Sequence, residues 1–187
     1  VGDDQKQHLE LCRDIAQKFN NDYNVEDFLV PPEPLIQKQF SRIMSLKDGS
    51  KKMSKSDVSD LSRINLKDSK DLIINKIKKA KTDPHPIPNI IEELENRPEA
   101  ENLLGIYSSL KNQNINTTLK EFGGKNFSEF KTSLSEQLID KISPMAKEIN
   151  KLLNDPGYLD KILLAGAEKA NVIAENKVRE MKKIIGF

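Results

Sequence analysis

Ile43-Met44-Ser45-Leu46, then Lys47-Asp48-Gly49-Ser50, then Lys51-Lys52-Met53-Ser54-Lys55-Ser56-Asp57: within fifteen residues the chain changes character twice. The apolar run predicts a short strand, the Asp-Gly cluster a turn, and the lysine–serine stretch an exposed loop. A polar loop leaving the end of a strand lies where α/β folds bind ligands, at the carboxyl edge of the sheet. Lysine is a compact charge on a flexible stem, and serine hydroxyls and backbone N–H groups add hydrogen bonds, so this composition suits phosphate oxygens. The ordinary alternative for such a stretch is a solvated basic turn.

Working outward, Leu9, Cys12, Ile15, Ala16 and Phe19 recur at three- and four-residue steps. This spacing predicts an amphipathic helix over residues 3–19, with Asp3 and Asp4 in its first turn and its end at Asn20-Asn21-Asp22. Val30-Pro31-Pro32-Glu33-Pro34 cannot be helical. Beyond Val58 the pattern is helical throughout. Asp68 or Ser69 caps a helix bearing Leu72, Ile73, Ile77 and Ala80, and the proline-rich residues 83–88 form a linker. Pro98 and Glu99 open a helix carrying Leu103, Leu104, Tyr107 and Leu110. Thr117 or Thr118 starts a short helix that Gly123-Gly124 ends, and Ser128 caps a long one with a kink expected near Pro144. Pro156-Gly157 resets the chain before a last helix bearing Leu159, Ile162, Leu163, Ile173 and Ile184.

The 187 residues suffice for one generous domain or two small ones. Lys plus Arg number 30 against 29 Asp plus Glu, a net charge of +1, which excludes whole-surface nucleic-acid binding but leaves room for a local basic patch. Residues 67–81 hold six lysines and two aspartates, a net of +4, by default a solvated helix face. No apolar run approaches the roughly 18 residues of a membrane span, and no signal-peptide pattern is present. Cys12 is the only cysteine, which excludes an internal disulfide and a cysteine metal cluster and makes a reducing cytoplasmic location the expectation. His8 has no second ligand at metal spacing and reads as an ordinary helix residue; His85, between prolines, reads as an exposed loop residue.

Lys52-Met53-Ser54-Lys55-Ser56 resembles the signature loop of the class I aminoacyl-tRNA synthetases. Val1-Gly2-Asp3-Asp4-Gln5-Lys6-Gln7-His8, with Leu9-Glu10-Leu11 and Arg13-Asp14-Ile15-Ala16 after it, resembles the bacterial tryptophanyl-tRNA synthetase family. So do Asn102-Leu103-Leu104-Gly105-Ile106-Tyr107-Ser108 and Gly166-Ala167-Glu168-Lys169-Ala170-Asn171. The likeness spans nearly the whole chain and is weakest over residues 25–39 and 82–95. It implies ATP contacts at Gly2, Asp3, Asp4, Ile43, Lys52, Met53, Ser54, Lys55 and Ser56, with Lys52 and Lys55 supplying transition-state charge. Gly2 would let backbone approach the nucleotide, Asp4 would accept from ribose hydroxyls, Ile43 would rest on adenine, and Gln5 would face the amino-acid side. Helix capping alone is the alternative for Asp3 and Asp4, and a plain core position for Ile43. Mg2+ would arrive with ATP, with no protein metal site. The implied partners are L-tryptophan, ATP and the tRNA for tryptophan, in a homodimer with no membrane contact.

The resemblance further implies a mostly α chain: the C-terminal edge of a Rossmann-like α/β nucleotide-binding domain over residues 1–57, an all-helical tRNA anticodon-binding domain over 58–155, and a helix over 156–187 that packs back toward the catalytic domain. The family's second signature, a His-x-Gly-His-like turn, matches neither His8 nor His85, and its tryptophan-recognising segment precedes the glycine–aspartate–glutamine motif. Together with the abrupt opening at Val1-Gly2-Asp3, this makes the chain a C-terminal piece of a longer enzyme, inactive by itself. Two alternatives stand beside tryptophan activation: a non-catalytic helical tRNA-binding module, and a fragment of a tyrosyl-type synthetase. Residues 67–81 would then offer a path for tRNA phosphates; no residue of the helical part is singled out as reading the anticodon.

Overall fold

The apolar spacing near the amino terminus does produce a helix, but over Lys6–Asp22 (α1) rather than 3–19. The computed structural model describes residues 2, 5–36 and 42–187, and the expectations placed on Asp3 and Asp4 lie outside them. α1 continues through Asn20-Asn21-Asp22 because these polar side chains find partners that tolerate helix. Asn20 accepts from the Leu29 N–H at 2.9 Å and donates to the Leu29 carbonyl at 2.8 Å, while Lys18 reaches Asp22 at 2.8 Å. The helix closes at Tyr23, and Asn24 takes φ 51°, a left-handed geometry asparagine tolerates.

The chain divides into two units, Val1–Ile36 with Lys151–Phe187, and Gln37–Asn150. In the first, Arg13 donates to the Pro32 carbonyl at 3.0 Å, serving an acceptor in a segment that cannot join a ladder. Phe19 packs on Tyr23 and Phe28, and the Lys177 ammonium lies 3.8 Å from the Phe28 ring centre, a cation–π contact. Lys177 belongs to α6 (Pro156–Ile185), N-capped by Asp155 and ended by Gly186 at φ 91°. No α6 residue is buried; Leu163, Leu164, Val172 and Ile173 are exposed.

The second unit holds the core. Its helices are α2 (Lys70–Lys79), α3 (Pro98–Leu110), α4 (Ile115–Phe122) and most of α5 (Phe127–Leu153). Tyr107, Phe122 and Phe130 meet edge-on or tilted at 5.0–5.6 Å, within the range that aromatic pairs favour. Ile73, Ile77, Leu103, Leu104, Leu119 and Leu134 close around them, fully buried. Burial pushes the Tyr107 hydroxyl up to about 12, with Glu121 beside it adding to the effect. The cores of α3 and α4 also share polar atoms: Ser108 and Thr118 hydroxyls lie 2.7 Å apart, and Gln113 donates to Thr118 at 2.9 Å.

Ser69 caps α2 by accepting from the Leu72 N–H. At the other end, Lys131 of α5 donates to the Ala80 carbonyl at 2.6 Å, satisfying an orphaned helix-end acceptor, and burial holds its pKa below the usual lysine value. α4 starts earlier than Thr117 or Thr118, because Asn114 takes the cap and its side chain accepts from Asn116 at 2.8 Å. α5 passes through Pro144 and remains helical to Leu153, although Pro144 has no N–H to donate to the helix ladder.

Arg97, the residue before α3, holds the linker with two bonds to Asp83 at 2.8 and 2.7 Å and a third to the His85 carbonyl. Burial works to raise the Asp83 pKa, but the Arg97 guanidinium and the His85 N–H together hold it below the ordinary 3.8. A depressed carboxyl stabilises the fold above its unfolded value and loses that contribution as pH falls through the folded value. Arg97→Gln should therefore lower the unfolding free energy by about 1–3 kcal/mol at pH 7. In denaturant titrations across pH, the gap between the two proteins should shrink below about 3.8; a pH-independent gap would contradict the assignment.

Candidate phosphate-binding loop

Residues 43–53 form a hairpin, but not a strand of a sheet. The Ser45 N–H donates to the Lys51 carbonyl at 2.8 Å, the Met53 N–H to the Ile43 carbonyl at 3.0 Å, and Met44 faces Lys52 in an isolated antiparallel bridge. This corrects the strand expected at Ile43-Met44-Ser45-Leu46: among the described residues no strand lies beside it. Other groups take the ladder's place. The Asn102 side chain accepts from the Met44 N–H and donates to the Met44 carbonyl, each at 2.9 Å. The Leu46 N–H donates to Ser62, and the Leu46 carbonyl accepts from Lys81 at 2.7 Å.

The turn is built by Asp48, which accepts from the Ser50 hydroxyl at 2.6 Å and from the Ser50 N–H, and pairs with Lys51 at 3.3 Å. The Ser50 hydroxyl above all, then its N–H and Lys51, bring the Asp48 carboxyl down to about 2. Gly49 is required by close approach: a Cβ there would lie 2.6 Å from the Glu99 nitrogen and the Pro98 carbonyl carbon. The turn thus rests on the first turn of α3, where Lys81 pairs with Glu99 at 2.7 Å and draws its pKa below the usual value.

Met53 is half-buried against the core and, with Ile43, Leu46, Ile64, Ile106 and Leu110, lines a cavity of about 280 Å3. Ser54 and Ser56 hydroxyls lie 2.9 Å apart and the Ser56 N–H donates to Ser54 Oγ, so the loop doubles back on itself. Lys52 and Lys55 are exposed, and among the described residues neither ammonium has an ion-pair partner. The neighbouring lysines 51, 76 and 81 are all paired.

On its far side the loop is tied down by charge. Arg63 donates to the Asp57 carbonyl at 3.0 Å and pairs with Asp60 at 3.1 Å. Lys76, with no exposed surface, bonds Asp68 at 2.6 Å and Asp60 at 2.7 Å. Asn65 donates to both carboxylates. Lys76 foremost, then Asn65, hold the Asp60 pKa below its ordinary value. Residues 67–81 are therefore not a uniformly solvated face; Lys76 points inward. Its place between Ile73 and Ile77 on the apolar side of α2 was the available signal. Asn102 and Glu99 carried no comparable signal.

Of the other candidate residues, Gly2 and Gln5 belong to the first unit, where the Gln5 N–H donates to the Gly2 carbonyl at 3.0 Å and Gln5 is exposed. Asp3 and Asp4 lie outside the described residues. Among those described, no cluster of His, Cys, Asp and Glu could hold a metal, and no helix is long and apolar enough to cross a membrane.

A family model described as tRNA synthetases class I (W and Y) matches residues 1–143. A tryptophan–tRNA ligase of Caulobacter vibrioides is 52% identical over 187 residues, an alignment covering all of this chain and 54% of the ligase. The crystal structure of tryptophanyl-tRNA synthetase from Mycoplasma pneumoniae matches with a TM-score of 0.81 at 30% identity, over 100% of this chain and 55% of the other. That of the Campylobacter jejuni enzyme, complexed with ADP and tryptophan, matches with a TM-score of 0.65 at 27% identity, over 100% of this chain and 56% of the other. The chain spans about half the length of the curated relatives it matches.

Removing the buried ammonium alone strands Asp68. Lys76→Met should cost about 3–5 kcal/mol, and adding Asp68→Leu should restore most of that loss. Denaturant unfolding of both variants checks this; a loss in the double variant equal to that in the single one would refute it.

Proposed function

The chain belongs to the class I tRNA synthetases of the tryptophan and tyrosine group, and from this we propose that its lysine–serine loop serves ATP-dependent activation of L-tryptophan and transfer to the cognate tRNA. The observation that carries the reading is the braced hairpin that presents two free charges: Lys52 and Lys55 are exposed and have no ion-pair partner among the described residues, while Lys51 beside them is paired with Asp48 in the turn. In activation, the amino-acid carboxylate attacks the α-phosphorus of ATP and pyrophosphate leaves. Negative charge that grows on the phosphates is met by fixed ammonium groups more strongly in the transition state than before it. Ser54 and Ser56 hydroxyls and local N–H groups offer further donors to phosphate oxygens, and Ile43 and Met53 an apolar seat beside them. The family resemblance also assigns ATP contacts to Gly2, Asp3 and Asp4, and the amino-acid side to Gln5. Mg2+ would come bound to ATP.

In this reading residues 1–57 belong to the catalytic domain, 58–155 to the helical tRNA-binding domain, and 156–187 pack toward the catalytic domain. The grouping of residues 151–187 with 1–36 supports the last assignment, whereas the hairpin and loop group with the helical residues up to 150 and not with 1–36. The parent enzyme would be a cytoplasmic homodimer, and the 187 residues alone would not form adenylate. Tryptophan is favoured over tyrosine because the curated relatives are tryptophan–tRNA ligases. A non-catalytic binding module has no need of the five-residue pattern from Lys52 to Ser56, which suits phosphate activation.

In the full-length ligase that carries this chain, Lys52→Ala and Lys55→Ala should each lower tryptophan-dependent pyrophosphate exchange by about 10²–10³. Unchanged exchange in both would overturn the reading, and exchange driven by tyrosine rather than tryptophan would reassign the substrate.

A further inference from the structure

We propose that Asn102 is a positioning residue for the phosphate-binding loop, an inference that rests on the reading of Lys52 above. Asn102 lies in α3, 58 residues from Met44, and its amide engages both backbone polar groups of that residue at 2.9 Å. Met44 is the residue bridged to Lys52. The amide therefore does for the hairpin what a neighbouring strand does in a sheet: it donates and accepts at one pair, and so sets height and tilt together. It is itself held still, buried with 7% exposure and followed in α3 by the fully buried Leu103 and Leu104.

The second contact of the hairpin with α3 lies one turn earlier, where Gly49 sits on Pro98 and Glu99. Residues 99 and 102 are neighbours on a helix surface, so α3 acts as a rail against which the hairpin is registered at two points. Gly49 supplies fit without direction, whereas the amide supplies directed bonds. Asparagine is also specific here. Aspartate would keep the acceptor for the Met44 N–H but set a carboxylate oxygen against the Met44 carbonyl, and alanine would leave both groups without their partner.

Charge stabilisation in the transition state depends on placement within about 1 Å, so a loosened hairpin should slow chemistry more than it weakens tryptophan binding. The test is pyrophosphate exchange by the full-length ligase with Asn102→Ala, Asn102→Asp, Lys52→Ala and the double variant Asn102→Ala/Lys52→Ala. We expect Asn102→Ala to lower kcat about 10-fold or more with the tryptophan KM unchanged, and Asn102→Asp to fall part of the way. In the Lys52→Ala background the Asn102→Ala change should cost less than about twofold, because the group it positions is gone. An equal fold-loss in both backgrounds, or a raised tryptophan KM with kcat unchanged, would show a merely structural role and overturn the inference. If Asn102→Ala fails to fold, the isosteric Asn102→Asp decides, and wild-type kcat in that variant overturns the proposal. If Lys52→Ala itself exchanges at the wild-type rate, the reading of the loop has failed and the inference falls with it. A lowered Lys52→Ala rate beside a wild-type Asn102→Ala rate sinks the inference alone.

Discussion

An ammonium group can be taken out of water only where opposite charge and hydrogen bonds replace its hydration. Lys76 meets that condition with two carboxylates, and in doing so it fixes the path of the chain from Asp57 to Ser69. Asp60 lies in the segment leaving the loop, Asp68 just before the α2 cap, and Asn65 between them bonds to both. One buried charge thereby turns a polar, otherwise unconstrained stretch into a folded strap. Lys52 and Lys55, in the loop that precedes this segment, are exposed. Burial with two carboxylates marks Lys76 as structural; the candidate roles of Lys52 and Lys55 rest on the five-residue pattern around them.

The hairpin ahead of the loop poses the opposite difficulty. Two extended arms joined by a turn are marginal by themselves and ordinarily need a third strand or a helix to lie against. Helix α3 fills that role with a side-chain amide, a glycine-sized contact and an ion pair, while Ser62 and Lys81 serve the backbone of Leu46. The result is a loop mounted on a helical body; among the described residues no sheet edge carries it. Lys131, capping α2 from α5, extends the same logic to the next layer of helices.

Much of the helical architecture was legible in the amino-acid order. Periodicity gave α1, α2, α3, α5 and α6, and Ser69 and Pro98 marked two of the starts. Where the reading missed, another partner, tertiary or local, had overridden the signal. Asn20 reads as a helix breaker until Leu29 meets both ends of its amide, and Thr117 reads as a cap until Asn114 takes that role earlier. A short apolar run predicts a strand but does not say what will satisfy its backbone; for Met44 that was a residue 58 positions away, beyond the reach of pattern. The loop was legible because its chemistry is compressed into five consecutive residues. Lys76 could have been found from its phase on α2, whereas Asn102 could not, since a buried asparagine looks like a surface one until the fold is drawn.

The hollow under Met53 bears on how this loop can travel. A thioether on an unbranched, three-bond stem adapts to irregular space, and about 280 Å3 lies open beside it, walled by aliphatic groups. A downward stroke of the loop would meet soft hydrocarbon instead of close-packed atoms, so the sideways yielding that dense interiors resist costs little here. The loop is bounded by the amide of Asn102 on one flank and by the Lys76 carboxylate clasp on the other, so this yielding ground lies between two fixed posts.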